Sequence, residues 1–138
     1  MTVLQRPTTV ADLMTIEPYL IRADAFIGEA EAEMRDHHIT GLPVVDSTGR
    51  LVGVISQTDF IHLADPETRA LMRLAPEEIR VADVMSRPPV TVELSTSLLE
   101  AAQTMVRERV HRLVAVDRVQ RPLGVLSAMD FVSLFAEG

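Results

Sequence analysis

The chain contains two copies of one sequence. Displaced by 71 residues, Val10-Ala11-Asp12-Leu13-Met14-Thr15 falls on Val81-Ala82-Asp83-Val84-Met85-Ser86, and Pro18 falls on Pro89. Glu29-Ala30 then meets Glu100-Ala101, Met34 meets Met105, and Leu42, Val45 and Asp46 meet Leu113, Val116 and Asp117. Gly53-Val54-Ile55-Ser56 matches Gly124-Val125-Leu126-Ser127, and Asp59-Phe60 matches Asp130-Phe131. Between residues 10 and 63, 18 of 54 pairs are identical at one constant offset, without a gap. Chance gives only a few such matches. A duplicated motif of about 54 residues is therefore the architectural unit.

Both copies carry the same pattern of elements. A short element (Val10 to Met14; Val81 to Met85) precedes a β-like run, Tyr19-Leu20-Ile21 or Val90-Thr91-Val92. A helix follows, because Ile27, Ala30 and Met34 share a face, as do Leu98, Ala101, Ala102 and Met105. Ser95 and Thr96 are its expected N-caps in the second copy, with Glu100 in the first turns. Leu42-Pro43-Val44-Val45 and Leu113-Val114-Ala115-Val116 are continuously apolar, as in strands covered on both faces. Asp46-Ser47-Thr48-Gly49 is a hairpin turn, a further apolar strand follows, and a second helix starts near Gln57 or Ala128. The order is β-α-β-β-α, twice, in an α/β (α+β) fold.

Residues 62–80 have no counterpart in the second copy. Pro66-Glu67-Thr68 and Pro76-Glu77-Glu78 read as helix starts, with proline in the first turn. The expected division is a first repeat over 7–65, a helical connection over 66–77 and a second repeat over 78–137, all in one compact module.

Composition narrows the function. At 138 residues the chain is the size of one ordinary domain, and 47% hydrophobic residues suffice for a core. That core must be aliphatic, since aromatics make up 4% and tryptophan is absent. The start, Met1-Thr2-Val3-Leu4-Gln5-Arg6-Pro7, lacks the charged and apolar regions of a signal peptide. No apolar run reaches the roughly 20 residues of a membrane span, so no membrane partner is expected. With no cysteine, disulfides and thiolate metal sites are excluded, and a cytoplasmic location fits. The net charge of −7, with Arg107, Arg109 and Arg112 as the only dense basic cluster, argues against a nucleic-acid partner.

Two Ser-x-x-Asp motifs are the strongest chemical signal: Ser56-Gln57-Thr58-Asp59 and Ser127-Ala128-Met129-Asp130. Each follows a strand and opens a helix. One reading is a helix capping box. The other is a ligand site, in which the carboxylate accepts from two ribose hydroxyls while helix start and hydroxyls favour a phosphate. Both readings can hold together. Arg112, preceded by Val110-His111, offers a planar fork of donors suited to phosphate. At that place the first copy has Ile39-Thr40-Gly41, without charge, so two phosphate sites would differ. His37-His38 are adjacent and about 100° apart on a helix, which is poor chelating geometry, and no metal site is expected. With no nucleophile or metal near the paired carboxylates, the chain is not read as an enzyme and requires no cofactor.

The segments Val81-Ala82-Asp83-Val84-Met85-Ser86, Val110 to Asp117 and Gly124 to Phe131 resemble, in order and spacing, a cystathionine-β-synthase (CBS) domain. Ile39 to Asp46 with Gly53 to Phe60 resembles a second. The resemblance covers about residues 7 to 137 and is that of a stand-alone tandem pair, or Bateman module. It implies two repeats packed with pseudo-twofold symmetry, leaving two clefts. Cleft A would use Ser56, Thr58 and Asp59 with Val90, Val110, His111 and Arg112. There Asp59 would hold ribose, the Val90 backbone adenine, and Arg112 and His111 phosphate. The stretch from Val110 to Leu113 resembles the nucleotide-sensing subunit of AMP-activated protein kinases. Cleft B would use Ser127 and Asp130 with Tyr19, Ile39 and Thr40. It departs from the family pattern in Met129 and in the missing cation, so it would bind more weakly. The resemblance implies a regulatory sensor of AMP, ADP or ATP, with S-adenosylmethionine or NAD as further ligands. Such a sensor would form a homodimer through helices that include Phe60 and Phe131, and would act on an unidentified regulated protein. The alternative is a structural or oligomerisation module without a ligand.

Overall fold

The structure is a computed structural model, and it describes residues 6–16 and 19–137. Pro18 and the first five residues, which entered the repeat and signal-peptide arguments, lie outside the described residues.

The elements in chain order are α1 (Val10–Leu13), β1 (Thr15–Ile16), β2 (Ile21–Arg22), α2 (Ile27–Asp36), β3 (Gly41–Val45), β4 (Leu51–Ser56) and α3 (Gln57–Leu63). After these come α4 (Pro66–Met72), a 3-10 turn (Pro76–Glu78), α5 (Val81–Val84), β5 (Thr91–Val92), α6 (Leu98–Glu108), β6 (Arg112–Val116), β7 (Pro122–Ser127) and α7 (Ala128–Glu137). The expected β-α-β-β-α order appears in both copies, with the first strand of each shortened to two residues. Tyr19, Leu20 and Val90 precede their strands rather than joining them.

The chain divides into two compact units that differ from the two repeats. Unit 1 is made from the described residues of Met1–Pro18 and Val90–Gly138, and unit 2 is Tyr19–Pro89. Each unit therefore takes its leading helix from the other repeat. In unit 1, Val10 of α1 is fully buried among Val92, Ala101, Leu113 and Leu126. In unit 2, Val81 of α5 is buried among Ile21, Ala30, Leu42 and Ile55. Backbone bonds anchor both helices: Val10 N–H donates to Thr96 O at 2.9 Å, and Val81 N–H to Ala25 O at 2.8 Å.

The two sheets share a plan. Unit 1 has strand order β1-β7-β6-β5, with β5 parallel and β7 antiparallel to β6. Unit 2 has order β2-β3-β4 with the same orientations. Strand β1, absent from the expected order, pairs antiparallel with β7, Thr15 opposite Val125. Its counterpart in unit 2 is a single bridge between Ser86 and Val54. The ladder stops there because Pro88 and Pro89 have no N–H to donate. The repeated Gly53 and Gly124 admit these leading segments. A Cβ at Gly53 would lie 2.9 Å from Ser86 O, and one at Gly124 would lie 2.7 Å from Thr15 O.

Local chemistry explains the turns. Asp46 Oδ1 accepts from Thr48 N–H at 2.8 Å and Arg50 N–H at 3.1 Å, and Gly49 takes φ +86°. Bonds from the Thr48 hydroxyl, then from backbone N–H groups, hold the Asp46 carboxyl below its ordinary range. In the second hairpin Asp117 Oδ1 accepts from Val119 and Arg121 N–H, both at 2.9 Å. The cap of α6 is Ser97, which accepts from Glu100 N–H at 3.1 Å, rather than the expected Ser95 or Thr96. The helix begins at Leu98, so only Ser97 stands three residues before Glu100. The two proline-led helix starts are present, and Asp65 caps α4 through Thr68 N–H at 3.3 Å.

Candidate functional site

Ser56 ends β4, and Asp59 lies in the first turn of α3. Asp59 Oδ2 accepts from Ser56 N–H at 2.8 Å and from the Ser56 hydroxyl at 3.4 Å. Its other oxygen, Oδ1, accepts from the Ser86 hydroxyl at 3.0 Å. The capping geometry read from the sequence is thus present, and a third residue is attached to it. Ser86 was not among the expected site residues. The repeat alignment held the clue, since it sets hydroxyl residues Thr15 and Ser86 at the same place, and the structure brings each beside a repeated glycine, Gly124 or Gly53.

Strand pairing positions Ser86. Its N–H donates to Val54 O at 2.9 Å, and its carbonyl accepts from Val54 N–H at 3.0 Å. Two residues further along the same strand is Ser56, so β4 carries one residue that binds Asp59 and, through Val54, holds the other. Thr58, exposed on α3, makes no side-chain hydrogen bond among the described residues. Thr40 O accepts from Gln57 N–H at 3.0 Å, which ties the loop before β3 to the start of α3. Ile39 lines a cavity of about 510 Å³ with Met34, Phe60 and Ile61. Tyr19, half-exposed, stacks on His37 with ring centroids 3.7 Å apart and planes 10° from parallel. His37 in turn lies 3.2 Å from Glu33.

Unit 1 repeats the frame with other side chains. Asp130 Oδ2 accepts from Ser127 N–H at 2.7 Å, and Asp130 N–H donates to Ser127 Oγ at 3.3 Å. Among the described residues, no side-chain bond joins Thr15 to Asp130. His111 O accepts from Ala128 N–H at 2.8 Å, the counterpart of the Thr40–Gln57 bond. Arg112 opens β6 directly opposite Ser127, as Gly41 stands opposite Ser56. Partial burial lowers the Arg112 guanidinium below its ordinary value. Val90 O accepts from Val114 N–H at 3.1 Å, and Val90 and Val110 both pack against the unit 1 core. The three arginines of the basic cluster separate: Arg107 lies 3.5 Å from Glu108, Arg109 ends α6 at φ +56°, and only Arg112 is half-buried.

Within unit 2 the structure therefore brings together Ser56, Asp59 and Ser86, with Thr40 at the same helix start. Within unit 1 it brings together Ser127 and Asp130, with His111 and Arg112 alongside. Among the described residues no group of three or more His, Asp or Glu side chains could hold a metal. No helix among them is long and apolar enough to cross a membrane.

Known proteins with the same pattern bear directly on this arrangement. The family model of the CBS domain matches twice, over residues 10–65 and 81–137. The chain is 33% identical over 124 residues to 5′-AMP-activated protein kinase subunit gamma-3 of Sus scrofa, covering 89% of this chain and 23% of that protein. It is 31% identical over 123 residues to inosine-5′-monophosphate dehydrogenase of Methanocaldococcus jannaschii, covering 89% of this chain and 22% of the enzyme. The chain thus spans about a quarter of the length of these relatives. Among solved structures, CBSX2 in complex with AMP superposes with a TM-score of 0.82 at 27% identity, covering 95% of this chain and 98% of that one. The CBS domain pair of protein MJ0100, in complex with 5′-methylthioadenosine and S-adenosyl-L-methionine, gives 0.79 at 25% identity, covering 94% and 97%. With two matches on the two repeats and a fold shared across nearly the whole chain, this protein belongs to the CBS domain family and carries two copies of that domain in tandem.

Proposed function

We propose that the chain is a regulatory module that binds an adenosine-containing ligand and whose bound state is read by another protein. The observation that carries this reading is the Asp59 carboxylate, fixed by Ser56 and Ser86 yet with acceptor capacity to spare. An ionised carboxylate offers about four lone-pair sites. Two short bonds and one long one leave room for a sugar hydroxyl. The complexes of CBSX2 with AMP and of MJ0100 with adenosyl compounds support the ligand class. In this reading Ser56, Thr58 and Asp59 act together with Val90, Val110, His111 and Arg112. Asp59 takes ribose, the Val90 backbone takes adenine, and Arg112 with His111 takes phosphate. The set Ser127, Asp130, Tyr19, Ile39 and Thr40 forms a weaker second site. AMP, ADP and ATP are the first ligands to test, and S-adenosylmethionine and NAD the next. No catalysis is proposed.

The module is further proposed to be a homodimer. Met129, Val132 and Phe135 lie three residues apart along α7, with Phe135 86% exposed, and Ile61 on α3 is 69% exposed. Light scattering that finds a monomer at every accessible concentration would reject this. A purely structural module is the competing reading, and the capping bonds of Asp59 and Asp130 favour it. A thermal-shift screen with adenosine, AMP, ADP, ATP and S-adenosylmethionine decides between them. A ligand that binds only the folded chain raises the melting temperature, by mass action. No shift with any of the five, confirmed by calorimetry, would leave the structural module.

A further inference from the structure

The bond between Ser86 and Asp59 creates a pair of acceptors, and this changes what the carboxylate can recognise. The Ser86 hydroxyl gives its one proton to Asp59 Oδ1 across 3.0 Å. A hydroxyl that has donated keeps two acceptor lone pairs. Ser86 is exposed, and its backbone is fixed by both hydrogen bonds to Val54. Two acceptor oxygens on different side chains are thus held side by side, one charged and one neutral. Asp59 Oδ2 is the more occupied carboxylate oxygen, since it takes Ser56 N–H at 2.8 Å. Asp59 alone therefore presents one open oxygen, whereas Asp59 with Ser86 presents two.

We infer that Ser86 is a specificity-determining residue that makes the Asp59 site selective for a vicinal diol over a single hydroxyl. This rests on the proposed role of Asp59 as a sugar acceptor and adds a second acceptor to it. A cis-diol has two O–H groups on adjacent carbons, close enough to bridge oxygens 3.0 Å apart. One hydroxyl donates to Asp59 Oδ1 and the other to Ser86 Oγ. Donation from Ser86 to a carboxylate also makes its oxygen a better acceptor, since hydrogen bonds in a chain polarise one another. In unit 1 the equivalent residue is Thr15, with no side-chain bond to Asp130 among the described residues. Diol selectivity is therefore a property of the Asp59 site.

The test measures AMP, 2′-deoxy-AMP and 3′-deoxy-AMP against wild type, Ser86→Ala, Ser86→Thr and Asp59→Ala, with the melting temperature of each unliganded protein. Wild type should prefer AMP to both deoxy analogues. Ser86→Ala should weaken AMP about three- to tenfold, the range of one neutral hydrogen bond. One of the two analogues should then bind this variant as tightly as AMP does, because the hydroxyl it lacks has lost its acceptor. Ser86→Thr keeps the hydroxyl and should restore the preference. If Ser86→Ala weakens all three ligands by one factor, Ser86 is only structural and the inference is overturned. The same holds if its selectivity equals that of wild type while Asp59→Ala loses AMP; the sensor reading then survives without Ser86. If wild type binds none of the three, the sensor reading fails and takes this inference with it.

Discussion

Unit 1 and unit 2 share one core strand plan and carry different chemistry on it. In both, a leading segment crosses a glycine, a strand ends in serine, and an aspartate three residues on bonds back to the serine N–H, at 2.7 Å for Asp130 and 2.8 Å for Asp59. The side chains around that frame have diverged. Unit 2 adds Ser86 to its aspartate and has Thr40-Gly41 before its buried strand. Unit 1 has His111-Arg112 there, and Met129 where unit 2 has Thr58. The residues that build this frame, Gly53 and Gly124, Ser56 and Ser127, Asp59 and Asp130, are identical in the two repeats, whereas the side chains around it differ. On the proposed reading, unit 2 carries the sugar acceptor and unit 1 the cation for phosphate.

This comparison can be broken at the core first, where the two units should behave alike. Leu42 and Leu113 are equivalent and fully buried. Leu42→Ala and Leu113→Ala should each cost about 2–5 kcal/mol, the usual range for emptying such a site. Denaturant titration that finds one of them nearly neutral would show that the cores are not equivalent.

At the carboxylates the units should separate. Asp59→Ala removes a charged acceptor, worth about 1.5–3 kcal/mol. Adenosine and AMP should both bind about one to two orders of magnitude more weakly. Asp130→Ala should weaken them less. Calorimetry showing the reverse would exchange the roles of the two sites. A cap alone predicts a loss of about 1 kcal/mol in stability with no effect specific to ligand.

Arg112 sharpens the contrast further, because unit 2 has no cation at the equivalent position. Arg112→Ala should weaken AMP, ADP and ATP and leave adenosine nearly unchanged. Added salt should reproduce part of that loss if the phosphate is open to solvent, since exposed charges are screened over about 8–10 Å. Equal loss for adenosine and AMP would remove phosphate from the role of Arg112.

The smallest expected effect concerns acid stability. The Asp46 carboxyl titrates below its ordinary 3.8, chiefly through the Thr48 hydroxyl. A depressed folded value means that the unfolded chain takes up protons first. The stabilisation is therefore complete above the ordinary value and disappears as pH falls from 3.8 through the folded value. Asp46→Asn should flatten the acid limb of a melting-temperature profile in that window and leave its shape near neutrality unchanged. An acid limb as steep as that of wild type would count against this.

The sequence by itself determined the repeat, the β-α-β-β-α order of each copy, the Asp46 turn and both capping motifs. These are local, set by periodicity, by the side-chain acceptors of Asp46, Asp59 and Asp130, and by proline at Pro66 and Pro76. It placed the α6 cap one or two residues early, because Ser95, Thr96 and Ser97 all qualify and only the helix start selects among them. Tertiary structure decided what depends on distant residues. That α1 belongs with the second repeat and α5 with the first could not be read from the chain, since buried Val10 and Val81 suit either core equally. The bond from Ser86 to Asp59 spans 27 residues. It exists because strand pairing at Val54 brings the leading segment to the end of β4, and no local pattern contains that distance.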